Sequence, residues 1–276
     1  MKKILLFAAL VLPLILSAQT DLDFRTDWEK DGLKGKVKQT STYIHINPRI
    51  KTYNTLGYIE EIENDFHYAK VKRTYQKDKI ISSESFDENG TSETITNYKY
   101  NGKGQLVSYT TKSEYGTTIG KYEYNSDKTL KTFMRFDNDS SKYSYLVELT
   151  YKKGILVEEN QFGPNRAPYI WAIYNTNKQC TEYKKWRSDG ALRIHGRYLY
   201  DDNGFLKEWD SEKDGVWNVY YKYENDKYGN TISATSDDGR VRTYKYEYDS
   251  HGNWIKKEEY SDGTLYNTET RIIEYY

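Results

Sequence analysis

Tyr244-Lys245-Tyr246-Glu247-Tyr248-Asp249-Ser250-His251-Gly252-Asn253-Trp254 reads as one strand, one turn and the start of a second strand. Tyrosines alternate with Lys245 and Glu247, and a period of two puts the rings on one face and the charges on the other. That is the pattern of a half-buried strand. Asp249 and Gly252 then supply the turn, glycine because it accepts positive φ without steric cost.

The same grammar runs outward through the chain. The pattern Y-[N/D]-x-x-G-x-[L/I] spans Tyr53 to Ile59, Tyr100 to Leu106 and Tyr200 to Leu206, with degenerate copies starting at Tyr75, Tyr124, Tyr151 and Tyr174. Late copies read Asp226-Lys227-Tyr228-Gly229-Asn230 and Asp249 to Asn253. The Asn/Asp slot recurs at intervals of 22 to 27 residues through nine units, and such a period marks a repeat architecture. A second punctuation falls about midway in many units, as in Phe86-Asp87-Glu88-Asn89-Gly90 and Trp186-Arg187-Ser188-Asp189-Gly190. Closely spaced turns between alternating runs predict an antiparallel β meander of roughly 18 to 20 strands. Helical period is absent, and a short helix fits only between Asp21 and Asp31. Open sheets rarely exceed about ten strands without curling. The expected fold is therefore all-β: an antiparallel meander of about nine hairpin repeats forming a coiled, curled sheet. Its tyrosine rows would line the concave side. A propeller is disfavoured because nine hairpins do not divide into four-stranded blades.

These units, above all Tyr246 to Trp254, resemble the YD repeats of exported bacterial RHS-type proteins, over about residues 35 to 276. The resemblance implies an extracytoplasmic array of β-hairpins, which in large members spirals into a shell around a C-terminal toxin. This chain is too short to enclose cargo. The resemblance brings no catalytic residues, because the repeat itself has none. Short repeat proteins of antitoxin-like or sugar-binding kind look similar too.

The 276 residues include 30 Tyr, 8 Phe and 6 Trp, and the 41 Lys and Arg balance 41 Asp and Glu. Disordered chains are poor in aromatic residues, so the high charge content does not signal disorder here. A neutral chain without a basic stripe argues against nucleic acid as a partner. Lys2 and Lys3, the apolar run Ile4 to Leu16 and Leu16-Ser17-Ala18 form a signal peptide over residues 1–18. The expectation is an exported protein, periplasmic or extracellular, with no stable membrane insertion after cleavage. Residues 19–34 would form a lead-in segment and 35–276 the repeat domain. Cys180 is the only cysteine, so the fold is not a disulfide scaffold.

Little in the sequence points to chemistry. His45, His67, His195 and His251 lack metal-ligand spacing. Cys180 occupies the slot that Ile59, Leu106 and Leu206 hold elsewhere, which makes it a small core residue. Asp210 to Gly215 has the look of a calcium loop but contains Lys213 and lacks the closing Glu. Trp186, Trp217 and Trp254 are in phase with core positions. No catalytic residue, metal site or cofactor is expected.

The exception to the repeat is Tyr169-Ile170-Trp171-Ala172-Ile173-Tyr174, which is apolar on both faces. Tyr169, Trp171 and Ile173 occupy the face that elsewhere carries Lys121, Arg197 and Lys245. Either another segment, such as residues 21–34, folds over them, or they form an exposed apolar patch of the kind that marks a binding site. The three are the candidate ligand-binding residues. The partner would be a glycan, whose rings stack on aromatic faces, or an envelope protein. A protein-interaction module, such as an immunity partner of a secreted toxin, is the alternative.

Overall fold

The computed structural model describes residues 26–43, 48–65, 67–138 and 140–276. The expected signal peptide and His45 lie outside the described residues.

One short helix, α1 (Asp27–Lys30), precedes the strands β1 (Val37–Tyr43), β2 (Arg49–Tyr53), β3 (Ile59–Glu63), β4 (Lys70–Gln76) and β5 (Lys79–Phe86). Then come β6 (Ser92–Tyr100), β7 (Leu106–Ser113), β8 (Gly116–Tyr124), β9 (Leu130–Asp137) and β10 (Tyr145–Lys152). The second half comprises β11 (Ile155–Phe162), β12 (Pro168–Tyr174), β13 (Cys180–Trp186), β14 (Leu192–Tyr200) and β15 (Leu206–Lys213). It ends with β16 (Val216–Asn225), β17 (Thr231–Ser236), β18 (Val241–Tyr248), β19 (Trp254–Ser261) and β20 (Thr264–Tyr275).

Each strand pairs antiparallel with the next, and β20 pairs with β1 in the register Val37↔Tyr275, Thr40↔Ile273 and Thr42↔Arg271. The 20 strands of the described residues therefore form one closed barrel. This corrects the expected coiled, curled sheet. Closure removes the two edges that an open array leaves unpaired. It also corrects the expectation of no stable membrane insertion, which rested on the lack of a spanning helix. No helix among the described residues is long and apolar enough to cross a membrane. A closed barrel needs none, because it satisfies its backbone between strands.

The tyrosine turns explain the repeat in hydrogen bonds. Asn101 Oδ1 accepts from the amides of Lys103 and Gln105, both at 3.0 Å, and Gly104 follows at φ +79°. Asn54, Asn175, Asp201, Asp226 and Asp249 do the same two and four residues on. The slot is Asn or Asp because only a short side chain with an acceptor oxygen reaches both amides. In the degenerate turns Lys128 and Lys178 take the glycine position at φ +72° and +63°, a conformation that costs a residue with Cβ about 1–2 kcal/mol.

The tyrosines of several units then fasten them to the unit before. Tyr100 Oη donates to Ile80 O at 2.9 Å, Tyr124 to Leu106 O at 2.7 Å and Tyr200 to Cys180 O at 2.7 Å. Asn225 replaces the tyrosine and still reaches Leu206 O at 2.7 Å. Tyr248 and Tyr275 instead donate to Asp226 and Asp249.

Most buried apolar side chains, among them Tyr53, Ile62, Tyr122, Phe133, Ala172 and Tyr183, share one face of the sheet. This is the concave face, where side chains converge. Bulky rings meet small partners across strands: Tyr109 pairs with Gly120 and Tyr183 with Gly196. A Cβ on Gly120 would sit 2.2 Å from the Tyr109 ring, so the tyrosine fits only because the glycine is there.

Residues 26–36 run along the tyrosine-turn end, where β20 meets β1. Thr26 and Glu29 form a reciprocal cap on α1. Trp28 packs 6.5 Å from Tyr53 and donates from Nε1 to Val37 O at 2.9 Å. Asp27 accepts from the Ile59 amide at 2.7 Å. Asn253 brackets Lys34 through both its amide and its carbonyl, at 2.7 and 2.8 Å.

Candidate functional site

Tyr169, Trp171 and Ile173 all point outward from β12, while Ile170, Ala172 and Tyr174 are buried inside. Residues 26–34 pack at the β20–β1 closure and do not cover them. Tyr169 is 41 % exposed, and Trp171 and Ile173 are half-buried. The strand register explains the difference. Trp171 lies between Asn160 of β11 and Lys184 of β13, and Ile173 between Glu158 and Glu182.

A cleft of about 260 Å³ opens here, lined by Asn160, Gln161, Phe162, Pro168, Ile170, Trp171, Lys184 and Trp186. Glu158 organises its polar wall. Its Oε1 accepts from the Trp171 indole at 3.0 Å and from the Asn160 amide at 3.1 Å. The Lys184 ammonium stands 5.4 Å from the centre of the Trp171 ring. At the mouth, Arg166 covers Phe162 at 4.9 Å and pairs with Glu148 at 2.8 Å. Pro164, Asn165 and Arg166 make the short 3-10 turn that carries this arginine, with Asn165 and Arg166 at positive φ. The site is thus an aromatic cleft with an amide, a carboxylate and an ammonium held in place.

Two tryptophans differ from their expected core placement. Trp186 turns to the outer face and lines the cleft with Trp171. Trp217 faces outward because of a bulge: Trp209 pairs with Tyr221 but Asp210 pairs with Val219, so Tyr220 is an extra residue. Upstream of it every side chain changes face. Trp217 consequently meets His195 at 4.8 Å and the Arg197 guanidinium at 4.6 Å. His195 lies between Glu182, at 2.6 Å, and Glu212, at 3.3 Å. Arg197 pairs at 2.6 Å with Asp210, which is buried on this outer face. Trp254 remains on the inner side, opposite Tyr248.

Asp210 thus has a structural partner in Arg197. Among the described residues no group of three or more His, Cys, Asp or Glu is placed to hold a metal ion. Cys180 sits inside with Ala172, Tyr174 and Tyr183. Burial, and then the nearby Glu159 charge, push its thiol up to about 12, so it is far from a reactive thiolate. Tyr174 is raised by the same two causes, and its hydroxyl donates to Glu159 at 2.7 Å.

No family model matches the chain, and no curated protein matches it. Among solved structures, a porin-like protein from Bacteroides uniformis is 13 % identical, with 87 % of this chain and 96 % of that one covered, at a TM-score of 0.35. A porin-like protein from Bacteroides vulgatus is 11 % identical, with 87 % and 98 % covered, at 0.31. A TcdB2–TccC3–Cdc42 structure is 16 % identical, with 81 % of this chain and 16 % of that one covered, at 0.25. Similarity this low neither sets the fold nor assigns a role.

Proposed function

We propose that this chain is a non-catalytic binding protein of the cell envelope, related to YD-repeat proteins, that holds a saccharide in the cleft beside Trp171. The observation that carries the reading is the pairing of Trp171 and Trp186 in one cleft with Asn160 and Lys184. Pyranose rings have apolar C–H faces that suit an indole, while their hydroxyls need fixed donors and acceptors at the edge. Glu158 fixes both the indole and the amide, so the site is organised before a ligand arrives. A volume of about 260 Å³ falls just below the usual ligand range of about 300–1,000 Å³, which suits one sugar ring.

A glycan-array screen of the purified chain, run beside Trp171→Ala, tests the proposal. The expected result is millimolar-to-micromolar binding to a subset of glycans, lost in the variant with an unchanged melting curve. Binding that survives the substitution would remove the site. No binding to any glycan, together with a stoichiometric protein complex insensitive to sugar, would replace the reading with a protein-interaction module.

A further inference from the structure

A second cavity, of about 150 Å³, lies on the inner face where the barrel closes. Asp31 and Leu33 line it from the chain leading into β1, and Thr40, Thr42, Arg49, Lys51, Tyr53, Trp254, Glu269 and Arg271 line it from β1, β2, β19 and β20. Most of its charges are already matched. Asp31 takes Lys51 at 2.7 Å on both oxygens and the Tyr53 hydroxyl at 2.6 Å. Arg49 pairs with Asp65, and Glu269 takes Lys257 at 3.0 Å.

Arg271 is the exception. Its guanidinium lies 3.7 Å over the centre of the Trp254 ring. Its Nε is buried without a hydrogen-bond partner, and among the described residues no carboxylate forms an ion pair with it. Burial holds the guanidinium below its ordinary value, outweighing the opposing pull of Asp31 and Glu269, which stand near it without pairing with it. A buried donor left unpaired costs about 1–3 kcal/mol, more when it is charged, and a lined cavity beside it is where a partner would sit.

We propose that this cavity binds a small oxyanion, a carboxylate or phosphate group, at the N–H edge of Arg271, whose face is stacked on Trp254. The planar fork of a guanidinium matches two oxygens of such a group. Stacking on Trp254 fixes the plane of the fork. Thr40 and Thr42 add hydroxyls to the wall. The site is separate from the β12 cleft and does not depend on the saccharide reading.

The test is a thermal melt of the full chain in Tris chloride at constant ionic strength, titrated with sodium phosphate in one arm and sodium acetate in the other. Wild type is expected to show a rise in Tm of about 3–5 °C at tenfold excess over Kd, growing with the logarithm of anion concentration beyond it. A rise with phosphate alone assigns the site to phosphate groups, and a rise with acetate as well extends it to carboxylates. In Arg271→Gln the rise is expected to vanish, while Tm without either anion stays within about 2 °C of wild type, because no native ion pair is lost. Arg271→Lys keeps the charge without the fork and is expected to bind at least about tenfold more weakly. The proposal is overturned if wild type shows no rise in Tm with either anion, if Arg271→Gln keeps it, or if Arg271→Lys binds as tightly as wild type.

Discussion

Between β6 and β10 the inner face is a chain of touching rings, whereas from β18 through β20 to β1 and β2 ion pairs stand beside an apolar cluster that includes Val37, Tyr53, Ile273 and Tyr275. Tyr98, Tyr109, Tyr122, Phe133 and Tyr145 follow one another at centroid distances of 6.2, 6.3, 4.9 and 6.3 Å. At the closure the corresponding positions hold Arg242–Glu259 at 2.8 Å, Lys257–Glu269 at 3.0 Å and Lys51–Asp31 at 2.7 Å. Successive repeats are joined by short turns that already fix who pairs with whom, so adhesion between rings is enough. No turn joins β20 to β1. Lys34 and Asn253, which meet there, are 219 residues apart in sequence. Charges and hydrogen bonds are directional, and they discriminate against a slipped register where hydrophobic contact would not.

The strongest test of this division is alkaline pH, because tyrosines line both regions. Burial raises the phenols of Tyr53 at the closure and of Tyr174, Tyr223 and Tyr246 elsewhere, and pushes Tyr75 up to about 12. A group whose folded-state value is raised contributes stability that is complete below its unfolded value and is lost as pH rises toward the folded one. For tyrosine that window opens at about pH 10. Each buried phenol steepens the loss by about 1.4 kcal/mol per pH unit. The expected outcome is cooperative unfolding between about pH 10 and 12, with phenolate absorbance and far-UV circular dichroism changing together. Stepwise ionisation with the sheet intact would show that the rings do not hold the barrel.

A smaller effect separates the two regions directly. Phe133 is 2 % exposed at the centre of the ring chain, and Phe133→Ala is expected to cost about 3–5 kcal/mol in urea unfolding. A loss below about 1 kcal/mol would mean that the chain is loosely packed there. The least effect is expected at the closure. Asp31→Asn keeps the shape but weakens the bonds to Lys51 and Tyr53, at about 1–2 kcal/mol. Amide exchange should then quicken in β1, β2 and β20 and stay unchanged from β6 to β10. Faster exchange in every strand would mean that the closure is no separate unit.

The strand positions were legible because turn chemistry and two-residue alternation are local. Tyr53, Tyr100 and Tyr200 each announce a turn in the residues beside them. Closure was not legible, because the pairing of Val37 with Tyr275 leaves no trace in either neighbourhood. The outward placement of Tyr169, Trp171 and Ile173 followed from phase alone. Trp186 and Trp217 did not. The extra residue at Tyr220 reverses the phase of everything before it in β16, and one chain's alternation cannot reveal a bulge defined by its partner strand. The match of Tyr109 to Gly120 and of Tyr183 to Gly196 had a signal in retrospect: a glycine midway along a tyrosine strand marks a ring crossing it.

A ring has a circumference, and an open array has only a length. An array that gains or loses a hairpin by duplication or deletion keeps its local geometry everywhere but at one end. In a closed barrel the same event changes the curvature of every strand and dissolves the match between β20 and β1. The number of units here therefore sets the girth of the barrel, and a gained or lost hairpin would oblige β20 and β1 to find a new match.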